Sequence, residues 1–359
     1  MATIRTIILF FLIFGIVVIS HEMGHFLLAK AGGIHVVEFA IGMGPTLLGF
    51  QRGDTKYSLK LFPIGGACMF EGEDGLNTKE GEEHPGAFPN ANVWKRISTV
   101  VAGPLFNFIL GFFVALALVS LSSYGDGDGI QVPVATQVLE GGAAAAAGMQ
   151  DGDRIVSLNG EKIHLRQELI LFNALYRGGE VEVGYERDGQ YGTVMVTPRY
   201  DEEYGRYMFG FLNGTYVKPE GIEAIKYAWY HMEFYMKYTY KSLKLLLSGQ
   251  VGRKDIAGPV GIANMVGETY EVARQYGWLD VVLSMLDITL LLTINLGILN
   301  LLPIPALDGG RLVFLLIEVV RGKPVPPDKE GMVHFVGLMF FMILMVFIFF
   351  NDIANVLGF

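Results

Sequence analysis

The sequence has little of what a soluble enzyme or a nucleic-acid-binding protein needs. Charged residues make up 18% of its 359 residues and apolar residues 52%, with a mean hydropathy of +0.41. Its net charge is −9 and it has no dense basic stripe, which argues against nucleic acid as a partner. A single cysteine, Cys68, excludes an intramolecular disulfide and a thiolate metal site. The composition indicates a membrane protein with a soluble part.

Four apolar stretches are each about 20 residues long, enough for a helix to cross a hydrocarbon core of roughly 30 Å. They predict transmembrane segments at residues 1–33, 97–123, 281–321 and 331–357. A signal peptide is the alternative interpretation of the first stretch, with a cleavage site at Ala29-Lys30-Ala31.

The distribution of Lys and Arg predicts the orientation of these segments. The loop at residues 30–96 holds seven Lys or Arg, and the last loop holds Arg321, Lys323 and Lys329. By the positive-inside rule, both loops are expected on the cytoplasmic side. The segment between the second and third crossings then faces outward, as do both termini.

Residues 124–200 are expected to form a separate soluble unit. VPVATQVL indicates a strand, GGAAAAAG a short helix, and RQELILFNALY a longer helix, with hairpin turns at Asn159-Gly160 and Asp188-Gly189. The run AGMQDGDRIVSLNG resembles the circularly permuted PDZ domains of bacteria, whose groove can add an extended peptide as a strand. A small β-module without a binding role is the alternative.

Two further regions complete the expected architecture. Residues 34–96 carry β-rich runs and predict cytoplasmic-side β-hairpins followed by an acidic connector. Residues 201–280 are expected to form an interfacial helical segment, because Tyr, Trp and Lys residues at 219–249 predict a helix at the membrane interface or, equally, one packed on the soluble unit. The fold class is therefore a polytopic α-helical membrane protein with a membrane-associated β-hairpin region and an inserted α+β PDZ domain.

The first apolar stretch contains a metal-site motif, His21-Glu22-Met23-Gly24-His25. On a helix, residues i and i+4 share one face, so both imidazoles can bind one Zn²⁺ while Glu22 serves as general base. Ionisable side chains inside an apolar helix are costly and indicate a partner or a function. A polar cluster satisfied by neighbouring helices is the structural alternative.

A catalytic zinc ion usually has three protein ligands, so a third is expected on another membrane segment. The candidates are Asp287, early in the third stretch, and Asp308, which follows the break Leu302-Pro303-Ile304-Pro305-Ala306-Leu307. Broken helices are tolerated at membrane depth where they are buried in protein or line a wet cavity. A carboxylate next to such a break, as Asp308 is, is well placed to be a ligand, and Asp287 stays a candidate.

HEMGH in the first membrane helix, together with NLLPIPALDGGR at residues 300–311, resembles the site-2 protease family of intramembrane zinc metalloproteases. Further matching runs are FAIGMGP, FPIGG, AGPLFNF and AGPVGIA. With a PDZ insert, the chain is similar to the bacterial RseP-type branch, which cleaves anti-sigma factors. One departure is that the best-known enterobacterial member has two PDZ domains and this chain has room for one.

The resemblance implies that His21, His25 and Asp308 bind one catalytic zinc ion and that Glu22 is the general base. It also implies that the hairpins reach into the membrane and hold the substrate extended. Four residues in the matching motifs become candidates for substrate binding: Asn300, Pro303, Pro305 and Asn107.

The expected function is hydrolysis of a peptide bond within or near the transmembrane segment of single-span membrane proteins, such as anti-sigma factors or signal-peptide remnants. The expected location is a bacterial inner or plasma membrane, with a peptide or substrate ectodomain at the PDZ groove. The alternatives are a membrane-anchored PDZ scaffold with a vestigial metal site and, more remotely, a zinc transporter.

Overall fold

A computed structural model describes residues 4–73, 85–125, 127–252 and 256–357. The acidic connector expected after the hairpins lies mostly outside these residues. The helices are α1 (Ile4–Gly32), α2 (Val93–Ser122), α3 (Ala143–Ala146), α4 (Arg166–Leu175), α5 (Ile222–Leu247), α6 (Pro259–Ala273), α7 (Trp278–Asn300), α8 (Asp308–Arg321) and α9 (Pro327–Leu357). The chain divides into one unit of Met1–Val114 with Thr239–Phe359 and a second of Ala115–Tyr238.

Four of the described helices are long and apolar enough to cross a membrane. They are Ile4–Gly32, Val93–Ser122, Trp278–Asn300 and Asp328–Asn355. At 1.5 Å per residue, even the shortest spans about 34 Å, more than the hydrocarbon core requires. The chain is therefore an integral membrane protein. The last of the four helices is the least buried.

Small residues bring α1, α2 and α7 together. A Cβ atom added to Gly24 of α1 would lie 2.2 Å from the Ala102 carbonyl oxygen of α2, so the two backbones are in direct contact. The Thr293 hydroxyl of α7 donates to the Asn107 carbonyl of α2 at 3.0 Å. Close approach at small residues and hydrogen bonds between helices are the usual means of helix association in membranes.

The hairpin region consists of two long strands, β1 (Val36–Arg52) and β2 (Thr55–Phe70), which pair with each other along three stretches. Phe39 lies opposite both Tyr57 and Cys68, because both strands bend and the last part of β2 runs along the other edge of the first part of β1. This last part of β2 lies beside α1, where a Cβ on Gly66 would be 2.8 Å from Glu22 Cγ. The hairpin is thereby held next to the HEMGH segment.

The second unit contains a six-stranded sheet with the order β10-β3-β4-β6-β7, to which β5 adds by pairing with β4. The strands are β3 (Ile130–Val138), β4 (Arg154–Leu158), β5 (Glu161–Lys162), β6 (Val181–Arg187), β7 (Gln190–Val196), β8 (Arg199–Asp201), β9 (Arg206–Met208) and β10 (Phe211–Val217). Each strand and helix expected within residues 130–196 is present. The core includes Ile155, Leu158, Val181 and Val183, all fully buried.

The structure differs from the expectation of a helical segment at residues 201–280. Strands β8, β9 and β10 occupy 199–217, and β10 pairs antiparallel with β3 as the edge strand of the sheet. The Tyr, Trp and Lys pattern behind that expectation describes α5, which begins only at Ile222. The preceding run FLNGTYV is rich in aromatic and β-branched residues, which favour a strand.

The first part of α5 packs on the sheet unit. Lys237 Nζ donates to Glu168 Oε1 at 2.8 Å and to the Lys162 carbonyl at 3.0 Å. The other Glu168 oxygen accepts from the backbone N–H groups of His164 and Leu165, which precede α4. Lys237 therefore ties α5 to the first turn of α4.

The third expected membrane segment, 281–321, is interrupted at the prolines, as the sequence predicts. α7 ends at Asn300 and α8 begins at Asp308, and only α7 is among the candidate spans. Pro303 and Pro305 lack N–H groups and cannot continue the hydrogen-bonding pattern of α7. The residues between the two helices form a loop that positions the start of α8.

Candidate metal centre

Helix α1 presents His21 and His25 on one buried face. The two residues are one turn apart, and both are 7% exposed. Their Nε2 atoms lie 3.2 Å from each other. This proximity follows from the i, i+4 spacing on an unbroken helix.

Asp308, the first residue of α8, completes a group of three side chains. Its Oδ2 atom lies 3.1 Å from His21 Nε2 and 3.3 Å from His25 Nε2. These three residues form a group that could hold a metal ion. Asp287, the other candidate from the sequence, is not in that group within the part of the chain that the structure describes.

The spacing of the three atoms fits a tetrahedral zinc ion. With zinc–nitrogen and zinc–oxygen bonds of about 2.0–2.1 Å, tetrahedral geometry separates ligand atoms by about 3.3–3.4 Å. The three separations here are 3.1, 3.2 and 3.3 Å. The three residues leave the fourth tetrahedral position for water or a substrate, as in catalytic zinc sites.

Hydrogen bonds to the Nδ1 atoms of both imidazoles leave their Nε2 atoms free to act as metal ligands. His25 Nδ1 donates to the Thr99 carbonyl oxygen at 2.8 Å, so the lone pair is on Nε2. The Asn107 amide lies 3.2 Å from His21 Nδ1, and its buried Oδ1 has no partner among the described residues. A 180° turn of this amide pairs Oδ1 with the His21 Nδ1–H. Three electron-pair donors then face one point, an arrangement that suits a bound cation.

Glu22 lies between the histidines in sequence and beside the hairpin in space. Its side chain is half-buried and faces the last part of β2. The backbone amide of Cys68 is a hydrogen-bond partner for the Glu22 carboxylate. The carboxylate is thus held at the junction of α1 and β2, where an extended chain beside β2 would meet it.

The four candidates for substrate binding have different surroundings. Asn107 is fully buried against His21, so its side chain is placed to orient an imidazole. Asn300 is the last residue of α7, and Pro303 and Pro305 lie in the loop before α8. Contact of these three residues with a substrate stays a prediction.

Two contributors to the site were absent from the sequence-based candidates. The Thr99 carbonyl is a backbone group, and a sequence gives no sign of its role. Gly103 carries a signal in the AGPLFNF run, since a glycine before Pro104 in a membrane helix indicates a close approach. A Cβ at Gly103 would lie 2.2 Å from His25 Nε2.

A Gly103→Ala substitution is therefore expected to displace the His25 ring and weaken zinc binding at least tenfold, the effect typical of disturbed ligand orientation. The measurement is zinc per chain after dialysis of purified full-length protein. Gly15→Ala in α1 is the control, because a Cβ there meets nothing within 4 Å. Equal zinc retention by both variants would contradict the proposed crowding.

Comparisons with known proteins agree with this chemistry. A model of peptidase family M50 matches residues 9–344. A putative zinc metalloprotease of Clostridium acetobutylicum is 33% identical, covering 98% of this chain and 98% of its own. The regulator of sigma-W protease RasP of Bacillus subtilis is 31% identical over 98% of this chain and 99% of its own. The solved PDZ domain of an SdrC-like protein from Listeria monocytogenes covers 24% of this chain and 87% of its own, with 20% identity and a TM-score of 0.20.

Proposed function

This chain belongs to peptidase family M50 and is a zinc metalloprotease, and on that premise we propose that it cleaves single-span membrane proteins within or near their transmembrane segments. The observation that carries the proposal is the triangle of His21 Nε2, His25 Nε2 and Asp308 Oδ2 between elements of a membrane-embedded unit. Because the histidines lie on a helix long enough to span the membrane, the substrates that reach this site are expected to be transmembrane segments.

We assign His21, His25 and Asp308 as the ligands of one zinc ion. When bound, zinc supplies a Lewis acid that polarises the scissile carbonyl and makes the attacking water more acidic. Thr99 and Asn107 keep the two imidazoles in the required orientation. The Asp308 carboxylate supplies one negative charge, which partly neutralises a dication held among apolar helices.

Glu22 is the group that moves the proton. Its carboxylate takes a proton from the attacking water and later delivers that proton to the amine nitrogen that leaves. The Cys68 amide and the crowding at Gly66 restrict the orientations that the carboxylate can adopt. Glu22 therefore serves as general base and then as general acid.

The hairpin offers a means of presenting the substrate. The last part of β2 pairs with β1 along one edge, no described strand pairs with its other edge, and Glu22 of α1 lies beside this part of β2. A substrate segment added at this edge is extended, with its carbonyls exposed to attack. A transmembrane helix must unwind to adopt this form, because its carbonyls are engaged in i→i−4 hydrogen bonds. Asn300, Pro303 and Pro305 are assigned to the same substrate path.

The sheet unit is proposed to be a PDZ domain that binds a peptide or a substrate ectodomain. Its strand order, the helix α4 and the AGMQDGDRIVSLNG run support this assignment. The seven Lys and Arg of residues 30–96 favour a cytoplasmic hairpin region, which places the PDZ domain outside a bacterial inner or plasma membrane. A relative named regulator of sigma-W protease favours anti-sigma factors as substrates. Signal-peptide remnants are a second substrate class of the same topology.

Removal of zinc tests the proposal. Purified full-length protein is reconstituted into vesicles with labelled single-span proteins that differ in whether Gly or Pro interrupts the span. We expect one zinc per chain, cleavage that stops with a chelator and returns with zinc, and about tenfold faster cleavage of the interrupted spans. A scaffold would show no stoichiometric zinc and no cleavage. A transporter would accumulate zinc inside the vesicles without cleaving the substrates.

A further inference from the structure

The loop between α7 and α8 sets the position of Asp308, and its backbone hydrogen bonds can be followed residue by residue. Pro303 and Pro305 have no N–H group. The Ile304 N–H donates to the Leu302 carbonyl, and the Leu307 N–H to the Ile304 carbonyl. The Ala306 N–H instead leaves the loop and donates to a side chain of another helix, His334 Nδ1 of α9, at 3.0 Å.

Ala306 has a backbone conformation that rarely occurs without glycine. Its φ is +73°, in the left-handed region. A residue with a side chain keeps this conformation only where surrounding contacts hold it. Asp308 follows two residues later, so a relaxed Ala306 would redirect the chain just before the proposed metal ligand. The hydrogen bond to His334 is one such contact on Ala306.

Helix α9 contacts this loop through residues on two neighbouring turns. A Cβ on Gly337 would lie 2.5 Å from Pro305 Cβ and 2.7 Å from the Pro305 carbonyl oxygen. The His334 ring packs against Phe314 of α8, with ring centroids 5.5 Å apart. Between these turns, Phe335 and Val336 are 60% and 62% exposed. The contacts with the loop thus come from one face of an otherwise exposed helix.

The neutral tautomer of His334 with its proton on Nε2 allows Nδ1 to accept the hydrogen bond from the Ala306 N–H. Nδ1 accepts from Ala306, so the proton of the neutral ring is on Nε2. The Glu330 carboxylate, one turn earlier on α9, lies 4.0 Å from Nε2 and favours that proton position. The His334 side chain is 14% exposed, whereas Ala306 itself is exposed.

We propose that His334 is a positioning residue of the metal centre, which holds the left-handed turn at Ala306 and so keeps Asp308 at the two imidazoles. This inference rests on the proposed function only in taking Asp308 as a zinc ligand. It gives α9 a second role, because a helix that anchors the chain in the bilayer also fixes one ligand of the metal.

The test compares His334→Asn with His334→Gln in the full-length protein. The amide oxygen of asparagine reaches the position of Nδ1, whereas that of glutamine reaches the position of Nε2. Zinc release to an excess of a chelating dye should be about tenfold faster in His334→Gln and within twofold of wild type in His334→Asn. Phe335→Ala, at the exposed neighbour, should release zinc at the wild-type rate.

A second variant tests the role of the left-handed turn. Ala306→Gly removes the conformational penalty, since glycine adopts positive φ freely. When Ala306→Gly is added to His334→Gln, zinc release should become at least threefold slower than in His334→Gln alone. Equal zinc release from His334→Asn, His334→Gln and wild type would overturn the proposal.

Hydrogen exchange at the Ala306 amide in zinc-free protein gives a reading that does not depend on the metal. The amide should be protected in wild type and in His334→Asn and unprotected in His334→Gln. Wild-type protein that retains no zinc would overturn the proposed function instead. The exchange measurement would still decide whether His334 holds the loop, so the two failures are distinguishable.

Discussion

A Glu22→Gln variant is expected to keep its zinc and to lose about 10³-fold of its cleavage rate, within the range for a lost general acid–base group. Glutamine has nearly the size and shape of glutamate, so the packing against Gly66 and the position of α1 are preserved. An amide, however, cannot take a proton from water at neutral pH. The measurement pairs zinc content with the single-turnover rate on a reconstituted single-span substrate.

The matched control for Glu22 is Glu271→Gln on α6, where an exposed carboxylate pairs with Arg274 at 2.7 Å. Glu271→Gln also removes one carboxylate charge, but at a residue far along the sequence from HEMGH, so the cleavage rate should stay within twofold of wild type. Glu22→Asp should retain part of the rate, because the carboxylate remains and only its reach changes. If Glu22→Gln cleaves as fast as wild type, Glu22 is not the base.

Asp308→Asn is expected to lower zinc affinity by at least about 100-fold, the upper end of what the loss of an outer-shell contact costs. Asp308 is the only anionic member of the three-residue group, so its replacement removes one of the charges that balance a dication in apolar surroundings. An amide oxygen is also a poorer zinc ligand than a carboxylate. Cleavage should fall in proportion to zinc occupancy and recover in part at high zinc concentration.

The control for Asp308 is Asp287→Asn, the other carboxylate that the sequence offered as a third ligand. Asp287 lies on α7, outside the three-residue group, and its substitution should leave zinc per chain unchanged. Zinc loss in Asp287→Asn together with retention in Asp308→Asn would reverse the assignment. Inductively coupled plasma mass spectrometry of dialysed protein reads both outcomes.

The membrane helices and the histidine pair could be predicted from the sequence because both depend on local pattern. An apolar run of about 20 residues has few alternatives to a membrane helix, and the i, i+4 spacing brings two side chains together on any helix. The meeting of Asp308 with these histidines was predicted from the proline-interrupted break and from the resemblance of residues 300–311 to a known motif. Spacing along the chain alone left Asp287 as a possible third ligand.

The strand pairing of the hairpins could not be derived from local pattern. Alternation predicts strands but does not show that Phe39 has partners at both Tyr57 and Cys68, because this depends on bends in both strands. The edge strand β10 was also missed. Its pairing with β3 joins residues some 80 positions apart, and the aromatic pattern of the following helix drew the predicted boundary too early.

Orientation of the ligands was the least predictable part of the site. The Thr99 carbonyl carries no side-chain signal, and the buried position of Asn107 against His21 appears only when α1 and α2 are packed. His334 does have a signal, since it is a histidine in a long apolar run. Its partner is a backbone N–H in a loop, however, and such partners are found only in three dimensions.

The backbone contact between α1 and α2 at Gly24 and Ala102 has a consequence for how a polypeptide reaches the site from the lipid. A Cβ has no room there, so a chain 5 Å or more across cannot pass between these two helices beside His25. Lateral access is therefore closed on that side. A transmembrane substrate would have to reach the histidines from another side of α1.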